Sequence, residues 1–225
     1  MKLNVLFGTS LLALTAAASA LAAPVNPISY DMHNGHGVAS SGSFNYWDKA
    51  YSGSGSTTTD NALLSGGLGD LTDGVVTNLN WFNVENIAGT GPYVGWRKTV
   101  LPTLAITFNF ASPVNIGTIR LHADDSGGFG GVSLPSRVDF TWATGSAGAV
   151  VVDPSAGTEP SWLDFTGLGI TGASSVTVTV GYGNEWIFLD EVQFIGAPVP
   201  EPSTYALMAL GLAGMATVVR RRRDR

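Results

Sequence analysis

From Pro24 to Pro200 the chain never sustains a helical period. It consists of short runs in which apolar and polar residues alternate, cut apart by Gly, Ser, Asn, Asp and Pro. A period of two puts every second side chain on one face of a strand, so such runs predict half-buried β-strands, and the intervening residues predict turns. Leu104–Phe110, Ile116–His122 and Arg137–Trp142 follow the alternation, and Ala149–Val152, Ser175–Val180 and Trp186–Phe194 are further strands. Six or more strands at this spacing predict an all-β fold, two packed antiparallel sheets in a β-sandwich or jelly roll. Tryptophans 81, 96, 142, 162 and 186 supply bulk for its core. No repeat of 20–50 residues is present, which excludes a solenoid or propeller.

The two ends are written differently. Met1-Lys2 is a short basic start, followed by an uncharged run from Val5 to Ala18 and then small residues through Ala23. That is the three-part layout of a secretory signal peptide, here residues 1–22, with cleavage expected after Ala20 or Ala22. The run falls short of the ~20 apolar residues that a spanning helix needs. At the other end, Pro200-Glu201-Pro202 precedes an apolar stretch from Tyr205 to Val219, and then Arg220, Arg221, Arg222 and Arg223. The prolines hold the segment extended. The apolar stretch predicts a transmembrane helix over 205–219, short for a hydrocarbon core of ~30 Å. The arginines should stay cytoplasmic, leaving the rest of the chain outside.

This tail resembles the PEP-CTERM sorting signal in the order and spacing of all three parts: the Pro-Glu-Pro motif, the apolar helix and the arginine end. The resemblance covers residues 199–225. It implies an exported protein of a Gram-negative bacterium, held transiently in the inner membrane until an exosortase-type enzyme processes it near Pro200, Glu201 and Pro202, and destined for the cell surface or extracellular matrix. An ordinary membrane anchor with a chance Pro-Glu-Pro is the plainer alternative.

Between the ends, residues 23–198 suit one domain, and a chain of about this size buries ~70% of its unfolded surface. There is no cysteine, so neither a disulfide framework nor thiolate chemistry is available in the exported protein. From Pro24 to Pro200 five basic residues (Lys49, Arg97, Lys98, Arg120 and Arg137) stand against fifteen acidic ones, a balance of −10 that the arginine tail hides in the whole-chain value of −6. Such a domain is unsuited to nucleic acid and suited to divalent cations.

The order of strands and loops resembles the galactose-binding-like, discoidin-type β-sandwich over about residues 60–196. Three places carry the resemblance: Gly69-Asp70-Leu71-Thr72-Asp73-Gly74 followed by Trp81, the strand pair Leu104–Phe110 and Asn115–Leu121, and the closing strand Leu189–Phe194 with Glu191. Residues 24–60 match nothing in it. The resemblance implies a structural calcium ion where the Asp-Gly loop meets the last strand, with Asp70, Asp73 and Glu191 as ligands and main-chain carbonyls completing the shell. Hard oxygen donors and loop glycines suit that ion. A plain Asp-Gly turn and a strand-edge glutamate are the alternative.

Other polar residues are candidates for ligand contact. His122 ends a strand and leads through Asp124 and Asp125 into a glycine-rich loop reaching Gly131, a place for ligand contacts or simply a solvated loop. Trp96 lies beside Arg97 and Lys98, where it either stacks on a sugar or packs on the sandwich edge. The glycines at 127, 128, 130 and 131 are followed by no Lys-Ser/Thr and do not make a phosphate loop. No Gly-x-Ser-x-Gly and no zincin motif is present, and Asp190 and Glu191, adjacent on one strand, are expected on opposite faces. The resemblance to the galactose-binding-like fold implies a non-catalytic binding module, with extracellular polysaccharide as the partner. The alternative is a structural or adhesive envelope or matrix protein with no small ligand.

Overall fold

A computed structural model describes residues 22–154 and 157–197, together with 208, 210–212, 215 and 220. The chain divides into two units, Ala22–Ala197 and the two ends outside it. Of the second unit only residues 208, 210–212, 215 and 220 are described, and they are helical. The signal-peptide reading and most of the 205–219 stretch lie outside the described residues, among which no helix is long and apolar enough to cross a membrane.

Among the described residues of the first unit are eight antiparallel strands, two of which are long enough to bend. These are β4 (Leu104–Ala123) and β7 (Ser161–Gly181). The sequence alternation over 104–110 and 116–122, expected as two strands, belongs to the single strand β4. Along Leu104–Asn109, β4 pairs with β1 (Ser29–His33) on one side and with Ser175–Val180 of β7 on the other. Along Ile116–Ala123 it pairs with Ser161–Ile170 of β7 and with β8 (Trp186–Gly196). The change of partners coincides with register shifts between Asn109 and Thr118. Pro113 cannot donate there, and Gly167, Gly169 and Gly172 of β7 all stand at positive φ, the devices by which a strand turns a corner between sheets.

The first sheet is completed by β2 (Leu63–Gly67) beyond β1, and by β5 (Arg137–Trp142) and β6 (Gly145–Val150) beyond β7. In the second, β3 (Val94–Arg97) flanks β8. Inward residues from both sets of strands meet: Phe108 lies 4.9 Å from Phe194 between ring centroids, and Phe140 5.1 Å from Phe165. The main cluster of buried residues runs from Tyr30 to Phe194, so residues 22–197 carry their own core.

A second, aromatic cluster lies under the loops at one end: Tyr46, Trp81, Tyr93, Val132, Trp186 and Phe188. Trp81 begins the only α-helical turn among the described residues of the first unit, α1 (Trp81–Val84). At the chain's entry to the domain, the Val25 N–H donates to the Phe194 carbonyl and Gly196 N–H to Ala23, which ties the first residues to the end of β8.

Candidate functional site

The loop from Gly69 to Trp81 is held by five carboxylates, each accepting a hydrogen bond from one of its main-chain N–H groups. Asp70 N donates to Asp48 (3.1 Å), Gly74 N to Glu191 (3.1 Å), Val75 N to Asp73 (2.8 Å), Thr77 N to Asp190 (3.0 Å) and Trp81 N to Asp124 (2.6 Å). A segment without regular pairing has to satisfy its donors in this way. The fit is close at Gly69, where a Cβ would stand 2.2 Å from the Asp48 carboxylate.

Burial pushes Asp48, Asp124 and Glu191, and the neighbouring Asp70 and Glu85, above the ordinary carboxylate range. Burial pushes Asp48 up to about 6 against the hydrogen bonds from Tyr30 and the Asp70 N–H. Burial, then the charges of Asp48, Asp73 and Glu85, push Asp70 up to about 8. Glu85, buried beside Asp124 and Asp190, is pushed up to about 8; one of its oxygens accepts from Tyr93 N and the other is buried with no partner. Burial pushes Glu191 up to about 7.

Asp73 and Glu191 line one open cavity of about 460 Å³, whose far wall is Pro24–Pro27. Asp70 does not join them; it lines a different cleft with Lys49, Gly89 and Gly91. Among the described residues no group of three or more His, Cys, Asp or Glu side chains is gathered to hold a metal. A cation at this place would therefore rest on two carboxylates and main-chain carbonyls.

Asp190 is not opposed to Glu191 as strand alternation requires. Glu191 stands opposite His122 and Leu189 opposite Ala123, so Asp190 is the extra residue of a bulge. Both neighbours thereby reach the same loop, Glu191 at Gly74 and Asp190 at Thr77. The second Asp190 oxygen is 2.6 Å from His122 Nδ1, which ties β4 to β8 beneath the loop.

The three side chains expected to touch a ligand are corrected by their burial. Trp96 is 0% exposed; β3 packs it into the core, where its Nε1 donates to the His33 carbonyl at 2.7 Å, so its ring offers no face to a sugar. Asp124 is also 0% exposed, with its oxygens taken by Trp81 N, Asn80 Nδ2 and Ser126 Oγ. Asp125 is buried as well and accepts from Gly127 N. Burial, and the Asp153 carboxyl beside it, raise its pKa. Both aspartates clamp the loop rather than face solvent.

The exposed groups at this end are aromatic. Phe82 (43% exposed) and Phe129 (63%) meet edge to face at 5.1 Å, and Phe129 also stacks on the buried Trp81 at 6.3 Å. Sequence reasoning passed over both. The available signal was Phe129 itself, a large apolar residue in a loop otherwise made of glycine, with no strand to bury it. The Asn80 amide nitrogen crosses between the two loops to Asp124, the Asp125 carbonyl, Ser126 and the Thr158 carbonyl. The aromatic pair therefore stands on a rigid base.

Residues 27–196 match the family model described as "Discoidin domain-containing receptor 1/2, DS-like domain". The chain belongs to that family. Residues 198–223, beyond this DS-like domain, match the PEP-CTERM protein-sorting motif. Similar solved structures include the F5/8 type C domain of a Bacteroides fragilis protein, 11% identical, covering 58% of this chain and 80% of its own, with a TM-score of 0.40. Another is the lectin-binding domain of lectinolysin in complex with Lewis b, 12% identical, covering 47% of this chain and 70% of its own, with a TM-score of 0.33. No curated protein matches the chain.

Proposed function

We propose that the DS-like domain is a non-catalytic module that holds extracellular polysaccharide at its loop end, on a protein exported and processed through its PEP-CTERM tail. The observation that carries this reading is the Phe82–Phe129 pair, two exposed aromatic rings on loops that Asp124 and Asn80 lock together. Rigid aromatic anchors give contact area at low entropic cost, which is what a sugar face requires of a protein surface. The balance of −10 selects neutral glycans over polyanions. A calcium ion at Asp73 and Glu191 would brace the loop and complete no reaction.

In a matrix pull-down with neutral polysaccharides, the double variant Phe82→Ala/Phe129→Ala should lose about tenfold or more in retention, equivalent to ~1.4 kcal/mol. Its melting temperature should stay close to that of the parent, because both rings are largely outside the core. If the parent retains no saccharide at millimolar concentration, the binding reading fails and the structural or adhesive role replaces it.

The tail has its own test. Replacing Glu201 with Ala, or deleting residues 205–225, should leave the protein unprocessed and change its mature mass by mass spectrometry, together with its location. A wild-type chain recovered from the inner membrane with its tail intact would overturn exosortase processing.

A further inference from the structure

A second cleft lies along β7, away from the loop end. It has a volume of about 370 Å³, and Val150, Val152, Pro154, Trp162 and Asp164 line it. Along Ser161–Thr166, β7 pairs only with β4 among the described strands, so its other edge is unpaired. We propose that this cleft is a second saccharide subsite, in which the Trp162 indole and the Asp164 carboxylate take one neutral pyranose unit. The proposal rests on the reading that the domain binds glycans, and adds to it a place and a chemistry remote from Phe82 and Phe129.

The indole is held in advance. Arg120 and Asp164 face each other across the β4–β7 ladder, as do His122 and Trp162. The Arg120 guanidinium lies 4.4 Å from the Trp162 ring centroid while its Nε donates to Asp164 Oδ1 at 2.6 Å. The His122 ring packs against the indole at 5.0 Å, and His122 is itself fixed by Asp190. Neither Arg120 nor His122 lines the cleft, so they secure the ring without filling the space beside it. A side chain already fixed in its bound geometry gives up little entropy when a ligand arrives.

The cleft's chemistry selects the occupant. A pyranose presents an apolar C–H face and a rim of hydroxyls. The indole and the valines offer a matching apolar wall, with Val150 67% and Val152 80% exposed. The Asp164 side chain, about half exposed, accepts from hydroxyls while Arg120 keeps it oriented. A carboxylate in the lining and a domain balance of −10 oppose an anionic sugar or lipid headgroup.

The test is a titration of residues 22–197 with neutral gluco-, manno- and galacto-hexaoses, following the Trp162 indole Nε1–H resonance, which is assigned by its loss in Trp162→Phe. At least one hexaose should move that resonance saturably. Trp162→Ala, read by the backbone amide resonances of residues 150–152 in the same cleft, should weaken that site's affinity about tenfold and Asp164→Asn several-fold, whereas Phe82→Ala/Phe129→Ala should leave it unchanged. Melting temperatures of the variants separate lost binding from lost fold. Saccharide shifts at the 82 and 129 loops with the Trp162 resonance unmoved would overturn the subsite and leave the loop-end reading intact. No shift anywhere would overturn both. An extended peptide that moves the Trp162 resonance when no saccharide does would assign the cleft to strand addition instead.

Discussion

Raising the pH from 5.5 to 8.5 in the presence of a chelator will lower the melting temperature of the DS-like domain by about 5–10 °C. Asp48, Glu191, Asp70 and Glu85 have folded-state pKa values of about 6, 7, 8 and 8, all above the ordinary carboxylate range. A carboxyl raised on folding binds its proton more tightly in the native state. Its contribution is complete below the unfolded value near 4 and is lost as pH rises through the folded value. The losses here fall between about pH 4 and 8. Asp70 and Glu85, whose folded values lie highest, carry most of the effect, which is on the order of 2–3 kcal/mol once coupling among the acids is allowed for. Asp31, held low by hydrogen bonds from Ser65, Asn109 and Gly66 that outweigh its burial, works in the opposite direction and is lost only on further acidification. The stability maximum should therefore lie near about pH 5 rather than at neutrality.

Calcium supplies the second arm of the same measurement. At pH 8.5, where Glu191 is ionised, millimolar calcium should raise the melting temperature by several degrees. At pH 5.5, where Glu191, pushed up to about 7, keeps its proton, it should add less. Asp73→Asn/Glu191→Gln should abolish the calcium response while keeping most of the pH response, since Asp70 and Glu85 are untouched. A melting temperature that is flat or rises from pH 5.5 to 8.5 would mean that these acids are ionised in the native state. Identical melts with calcium and with chelator at pH 8.5 would remove Asp73 and Glu191 as ligands.

The β architecture was legible because period-two alternation is a local signal, and the runs that carry it strongly, such as Leu104–Phe110 and Trp186–Phe194, are strands in the structure. The strands that escaped notice lack that signal. Leu63–Gly67 ends in two glycines, and Val94–Arg97 is too short to show a period. The first half of β7 is interrupted by the glycines that turn its corner. Continuity of β4 through Pro113 was hidden for the same reason, because a proline in a strand reads as its end.

At the site, Asp73 and Glu191 were readable as partners because an Asp-Gly loop and a closing strand are local patterns whose meeting the fold dictates. Asp48 was not, since it comes from the segment 24–60, where no pattern announces that a buried carboxylate will receive the Asp70 N–H. Trp96 shows the limit of reading an aromatic beside cations: the local sequence Tyr-Val-Gly-Trp-Arg-Lys is the same whether the ring faces solvent or the core. Asp190 depended on a bulge, which shifts one residue out of alternation and leaves no mark in composition.

Replacing Asp124 with Ala should cost about 2–4 kcal/mol and release the loop end, because it strands buried donors rather than merely removing a contact. Trp81 N, Asn80 Nδ2 and Ser126 Oγ all donate to this one carboxylate, and water cannot reach a group that is 0% exposed. Trp81 anchors the aromatic cluster through Tyr46, Phe129 and Phe188, so its displacement should spread to the rings that stand on it. Hydrogen exchange should accelerate across residues 73–90 and 124–131 while the β4–β7 ladder stays protected, and saccharide retention should fall with it. Asp124→Asn should recover part of the stability, since one oxygen still accepts from Trp81 N while its new amide faces the Asn80 amide. If Asp124→Ala melts within 1 °C of the parent and exchanges no faster in these loops, the carboxylate is not what holds them. The rigidity of the Phe82–Phe129 surface would then have to come from the aromatic stacking alone.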